Sequence, residues 1–207
     1  MNKVKTNYEK WYQCEGYYWG LEPAQLCYEI EKIYPAAEGV KVLDIGCGEG
    51  KDAIYFAKKG YQVSCFDITE SGIRKTKALA EKEGVEVNAF VADINDMNID
   101  EQFDIIYSTG TIQYLEDDKK DIFFEKVKNM TRENGINWFN VFVDKPFLPL
   151  PPDWDETEAM WQTGELFAHY NDWLLLKSEE IIFDCNSSGV PHKHCMDVVI
   201  SKKVKSI

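Results

Sequence analysis

The sequence has no apolar run that approaches the ~18 residues a membrane span requires, so no membrane partner is expected. Its six cysteines (Cys14, Cys27, Cys47, Cys65, Cys185 and Cys195) include no Cys-x-x-Cys pair. Reduced thiols are therefore expected, with Cys65 in an apolar run and buried. There is no clustered Lys and Arg run. Asp plus Glu number 36 against 23 Lys plus Arg, a formal net charge of −13. Nucleic acid is held chiefly by such clusters, with counterion release, so it is not an expected partner. Residues 1–8 carry charge but no apolar stretch of the kind a secretory signal needs, and a cytoplasmic protein is expected. Internal repeats and low-complexity tracts are also missing. What remains is a chain of 207 residues, 44% hydrophobic and 14% aromatic. That is enough for a packed core, and at ~100–200 residues per domain it predicts one domain over 1–207.

From residue 40 the chain alternates β-branched runs with amphipathic helical stretches. Residues 40–45 read as a strand entering a glycine-rich turn. A helix from about Lys51 ends with Lys58 and Lys59 in its last turn and Gly60 as its stop. Residues 61–66 read as the next strand, and Thr69 begins a helix with Ile73 and Ala80 on one face, closed by Gly84. Strands follow at 85–91 and 103–107. The segment 119–132 places Phe123, Val127 and Met130 at i, i+4 and i+7, an amphipathic helix stopped by Gly135 before a fifth strand at 136–143. This β-α-β-α-β-β-α-β order predicts an α/β, doubly wound, Rossmann-like and mostly parallel sheet. Such sheets bind ligands at the carboxyl ends of their strands. Residues 144–163 hold Pro146, Pro149, Pro151 and Pro152 and read as a loop. Residues 173–183 and 196–204 read as two more strands, an antiparallel hairpin that completes seven. Residues 1–35, dense in Tyr8, Trp11, Tyr12, Tyr17, Tyr18 and Trp19, read as a cap on a 38–143 core, with 144–207 as the substrate side.

The first strand runs into Asp44-Ile45-Gly46-Cys47-Gly48-Glu49-Gly50. Glycines at alternate positions let the backbone turn sharply and let a ligand lie against main-chain atoms. Gly48-x-Gly50-x-x-Ala53 formally satisfies a dinucleotide fingerprint, which keeps a nicotinamide-dependent oxidoreductase open. Gly46, Gly48 and Gly50 behind Asp44 satisfy the S-adenosylmethionine pattern, in which the glycines begin two residues after the strand's acidic end. Asp67 ends the second strand, where a carboxylate can accept from ribose hydroxyls. Strand three ends Val91-Ala92-Asp93-Ile94, where a carboxylate can accept from an adenine amino group while the apolar neighbour packs on the ring.

This ensemble, with the Phe103-Asp104 strand behind it, resembles class I S-adenosylmethionine-dependent methyltransferases over residues 38–143. More weakly, the whole chain is similar to the small tellurite-resistance and thiopurine-type methyltransferases, through Leu43–Gly48, Tyr61-Gln62-Val63 and Gly164-Glu165-Leu166 followed by Tyr170 and Trp173. The resemblance implies S-adenosylmethionine as cofactor. Asp44, Gly46, Cys47, Gly48 and Gly50 would hold its methionine part and Asp67 its ribose. Ile68 would lie on one adenine face, with Asp93 and Ile94 at the other end of the base, and Ser108 and Thr109 beside the sulfonium. The family carries arginines after Glu-Leu where this chain has Phe167-Ala168-His169, a departure that disfavours an oxyanion substrate.

The expected acceptor is a small molecule, with a soft nucleophile (a thiol, selenium or tellurium species) favoured, because no obvious base stands at strand four. Tyr114, just past that strand, and His169, in the segment after Glu-Leu, are the candidate catalytic residues. Tyr12, Tyr18 and Trp19 could form a lid. His192 and His194 alternate on one side of a strand with Cys195 on the other. With Cys185 they suggest a metal site, but the spacing matches no standard zinc pattern, and no metal is expected. Pro151-Pro152-Asp153-Trp154 resembles the Asn/Asp-Pro-Pro-Tyr motif of amino-methylating nucleic-acid enzymes, yet that motif belongs at the end of strand four, here Ser108-Thr109-Gly110. A monomer or weak homodimer is expected. A cofactor-binding protein without turnover is the alternative outside enzymes.

Overall fold

The computed structural model describes every residue except 1, 153, 155–159, 187–188 and 206–207, so Asp153 of the Pro-Pro segment lies outside the described residues. Seven strands form one sheet: β1 (Lys41–Ile45), β2 (Gln62–Asp67), β3 (Asn88–Val91), β4 (Phe103–Ser108), β5 (Thr131–Phe142), β6 (Leu174–Cys185) and β7 (His192–Lys202). Their spatial order is β3-β2-β1-β4-β5-β7-β6. β1 to β5 pair in parallel, and β7 runs antiparallel between β5 and β6. The expected Rossmann-like sheet with its C-terminal hairpin is what the chain forms. The chain leaves β1 toward β2 and β3 on one side and then crosses to β4 on the other. That reversal opens a crevice at the carboxyl ends of β1 and β4.

Period-two alternation explains the two core layers. Leu43, Ile45, Phe66, Ile106, Phe139 and Val199 face one layer with Phe123 and Val127 of α5 (Lys120–Met130). Val42, Ile105, Tyr107, Trp138 and Val198 face the other with Cys27 and Ile30 of α2 (Gln25–Ile33) and Phe56 of α3 (Lys51–Lys58). α4 (Glu70–Glu83) is capped by the Thr69 hydroxyl, which accepts from Gly72 N–H, and by Gly84 at φ +68. The amino-terminal segment holds α1 (Lys3–Trp11) as well as α2.

Three boundaries depart from the sequence expectation. β3 starts at Asn88 rather than 85, because Val85 N–H is spent on Ala80 O in the cap of α4. β5 starts at Thr131, directly after α5, and the register to β4 jumps from Phe103↔Thr131 to Ile105↔Ile136. Gly135 therefore sits in an irregularity within the strand and is not the helix stop. β6 and β7 extend to Cys185 and from His192, so the hairpin reaches further than 183 and 196.

Candidate active site

A cleft of ≈ 490 Å³ opens at the carboxyl ends of β1, β2, β3 and β4. Its floor is the turn after β1. Gly46 and Gly48 take φ of +76 and +55, and a Cβ on Gly46 would lie 2.0 Å from Thr111 Oγ1. Asp44, at the head of this turn, is 2% exposed, and its Oδ2 has no hydrogen-bond partner. Burial, with Asp52 and Asp67 nearby, pushes its carboxyl well above the usual carboxylate range. Cys47 also lines the cleft, and the neighbouring Cys65, then burial, raise its pKa, which disfavours the thiolate.

The other strand ends supply the side walls. Asp67 Oδ1 accepts from Thr69 N (2.9 Å) and Thr69 Oγ1 (2.6 Å), and Oδ2 accepts from Gly48 N (3.0 Å). Burial raises its pKa while these hydrogen bonds oppose the shift. Since a carboxylate offers about four acceptor sites, about one remains for a ligand. Asp93 Oδ1 accepts from Asn95 N (2.9 Å), which closes its own turn, and Asp93, Ile94 and Ile68 all line the cleft. At β4 the Asn140 amide clamps the strand end: its Oδ1 accepts from Gly110 N (3.0 Å) and its Nδ2 donates to Thr109 Oγ1 (3.2 Å). Gln113 is 3% exposed, lines the cleft, and has an unpartnered Oε1. Beyond Thr109 the cleft continues past Phe142, Trp154 and Phe183 to Cys185 and His194.

Three expected site residues sit elsewhere. Gly50 is the residue before α3 and faces Thr76, whose Cγ2 would lie 2.6 Å from an added Cβ, so it does not line the cleft. In the dinucleotide reading Gly50 is the glycine that must admit a pyrophosphate, so that reading loses its key contact. Ser108 is fully buried and its hydroxyl donates to Ile45 O (2.9 Å), which turns it away from the cleft that Thr109 lines. His169 stacks flat on Phe124 of α5 with centroids 4.0 Å apart, beside Asp121 at 3.5 Å. Burial lowers its pKa, and it does not line the cleft. It follows α6 (Glu165–Ala168), whose Leu166 turns into the core and leaves His169 on α5. Tyr114 does line the cleft, its hydroxyl 3.0 Å from that of Tyr8.

The amino-terminal segment covers this floor. Tyr12 is 3% exposed, its hydroxyl 2.8 Å from where a Gly48 Cβ would stand, and it accepts from Trp19 Nε1 (3.3 Å). Burial, and then Asp67, raise the Tyr12 pKa. Glu49 ties the segment down: it is 4% exposed, its Oε2 accepts from Tyr18 N (2.7 Å) and Trp19 N (3.3 Å), and its Oε1 pairs with Lys75 Nζ (2.6 Å). Lys75 in turn donates to Gly16 O (2.6 Å). Glu9 reciprocates by accepting from Glu70 N (2.6 Å) at the start of α4. Replacing Glu49 with Gln is expected to cost about 1.5–3 kcal/mol, the usual worth of hydrogen bonds to a charged group. Limited proteolysis should cut faster between residues 12 and 24. An unchanged cleavage rate would contradict this anchoring.

Glu49, Thr111, Gln113 and Asn140 were not legible as site residues. The signal for Asn140 was a polar residue inside the apolar run Trp138-Phe139-Asn140-Val141-Phe142 of a buried strand. The signal for Glu49 was an acid within a glycine loop.

Comparison with known proteins gives the family and the fold. Residues 21–188 match the family described as tellurite resistance protein TehB. The "Probable S-adenosyl-L-methionine-dependent methyltransferase TehB" of Haemophilus influenzae is 31% identical over 140 residues, 68% of this chain and 48% of that protein. A ubiquinone biosynthesis O-methyltransferase of Rickettsia canadensis is 29% identical over 119 residues, 56% of this chain and 50% of that protein. The chain thus spans about half the length of the curated relatives it matches. The crystal structure of TehB from Haemophilus influenzae superposes with a TM-score of 0.76 at 26% identity, over 86% of this chain and 61% of that one. By the family match across most of its length, the chain belongs to the TehB family of class I S-adenosylmethionine-dependent methyltransferases.

Proposed function

We propose that the chain transfers the methyl group of S-adenosylmethionine to a small-molecule acceptor. The observation that carries this is the buried, partnerless Asp44 Oδ2 at the head of the glycine loop. Five carboxylates (Asp44, Glu49, Asp52, Asp67 and Asp93) and one lysine, Lys51, line the cleft among the described residues. That wall suits a ligand with cationic groups and repels a pyrophosphate. Asp44 would take the amino group of the cofactor's methionine part, which supplies the missing donor. Asp67 would take a ribose hydroxyl with its remaining acceptor site. Ile68, Asp93 and Ile94 would hold the base, and Thr109 would face the reacting end. The bound cofactor supplies a methyl group on a positively charged sulfur, open to in-line displacement once the acceptor is positioned.

A soft acceptor is favoured: a thiol, or a selenium or tellurium species. Phe142, Trp154 and Phe183 make that end of the cleft apolar, and no carboxylate lines it beyond Thr109 among the described residues. A soft anion needs little help from a base. The test is to incubate the purified chain with S-adenosylmethionine and separate thiol, selenide, phenol and amine panels, measuring S-adenosylhomocysteine. Thiols or selenide should exceed the others by at least about tenfold, as expected when base assistance is missing. Tight cofactor binding with no product from any panel would move the protein to the non-catalytic alternative.

A further inference from the structure

In the β6–β7 hairpin Cys185 pairs directly with His192, and Phe183 with His194. Directly opposed residues of an antiparallel pair share a face, as do residues two apart on one strand. Cys185, His192 and His194 therefore stand on one face, while Cys195 turns into the opposite core layer. Among the described residues, their three ligand atoms form a group within 4.8 Å of one another. His192 Nδ1 lies 2.7 Å from Val190 O. A carbonyl only accepts, so in the neutral ring Nδ1 keeps the proton and Nε2 presents its lone pair. That Nε2 is 2.9 Å from His194 Nε2 and accepts its proton, a hydrogen bond that a cation would replace once the His194 proton moves to Nδ1. An imidazole tied from behind to a backbone carbonyl is the usual support of a metal ligand. His194 is 5% exposed, packed against Phe142 and Trp154 at 4.9 and 5.0 Å, and it lines the cleft together with Cys185.

We propose that Cys185, His192 and His194 form a three-ligand site for a divalent cation of the zinc class, with the remaining coordination position open to the cleft. One thiolate and two imidazoles suit zinc and not magnesium or calcium. Three protein ligands with one open position is the arrangement of reactive sites, where a closed fourth ligand marks structural ones. The chain intervals match no standard zinc pattern because the hairpin register, and not spacing, brings the ligands together. At the far end of the cleft from Asp44 the cation would bind an acceptor thiol as its thiolate, the proton leaving to water as the metal–sulfur bond forms. That consequence rests on the methyl-transfer proposal; metal binding does not.

The test is titration of the reduced full chain with Co²⁺ as a probe for zinc. The expected result is saturation at one equivalent with a thiolate-to-cobalt charge-transfer band that Zn²⁺ displaces. Cys185→Ser should abolish the band and His194→Ala should weaken cobalt binding by at least about tenfold. Cys14→Ser, which removes the exposed thiol, should change neither. A band that survives Cys185→Ser, vanishes in Cys14→Ser, or never forms overturns the site. Should Cys185→Ser fail to fold, an unshifted His194→Ala titration overturns it equally. A parallel titration with S-adenosylhomocysteine separates the two proposals. Cofactor binding without the band removes the metal site alone, and the band without cofactor binding supports the metal site and removes its role in methyl transfer.

Discussion

Replacing Asp44 with Asn is expected to stabilise the ligand-free protein while weakening S-adenosylhomocysteine binding by about ten- to a hundredfold, the usual weight of a charge-assisted hydrogen bond. The two effects have one cause. Asp44 is buried with an orphaned oxygen and lies near Asp52 and Asp67, so its folded pKa stands well above its unfolded one. Below about pH 4 both states hold the proton and the residue adds no penalty. As pH rises through the unfolded value, the unfolded chain ionises and the buried carboxyl resists. Ligand-free stability therefore falls until pH passes the folded pKa. Asn does not titrate, so the variant's advantage should widen with pH, which denaturant unfolding at about pH 5 and about pH 8 would read. An amino group placed against Asp44 favours the ionised form, so wild-type affinity should rise over the same window, and in the variant that rise should shrink. A less stable variant with unchanged affinity would contradict this role.

Gly46→Ala is the second large effect. The added Cβ meets Thr111 Oγ1 at 2.0 Å on a backbone at φ +76. The left-handed conformation alone costs an L-residue about 1–2 kcal/mol, and the collision must move Thr111 or the loop as well. A displacement on the order of 1 Å at a binding floor is worth about a hundredfold, and that loss of S-adenosylhomocysteine affinity is expected by calorimetry. Gly60→Ala is the control. Gly60 has φ +95 but nothing within 4 Å of an added Cβ, and it lies outside the cleft. It should lower the unfolding midpoint and leave affinity unchanged. Equal losses of affinity in both variants would mean that general strain, not the floor, is responsible.

Features encoded locally were legible in the sequence. The Asp44–Gly50 turn, Asp67 and Asp93 lie where strand ends could be read from short apolar runs, and Asp44, Gly46, Cys47, Gly48, Asp67 and Asp93 line the cleft while Gly50 does not. Gly50 could not be separated from its neighbours because its partner, Thr76, comes from another helix. His169 failed for a similar reason: a ring just after a short helix can face cofactor or core, and Phe124, 45 positions earlier in the chain, decided it. Ser108 ends β4 with its hydroxyl on Ile45 O, a partner from another strand, while Thr109 follows the strand and lines the cleft. The pairing of Cys185 with His192 depends on hairpin register, which the chain intervals do not state.

The most direct measurement is a calorimetric titration of the wild type and Asp67→Ala with S-adenosylmethionine, S-adenosylhomocysteine and NAD⁺. The prediction is micromolar binding of the first two, lost when the carboxylate that holds Gly48 N–H and faces the cleft is removed, and no binding of NAD⁺. Binding of NAD⁺ in their place, or of none of the three, would contradict the placement of the cofactor against Asp44 and the glycine turn.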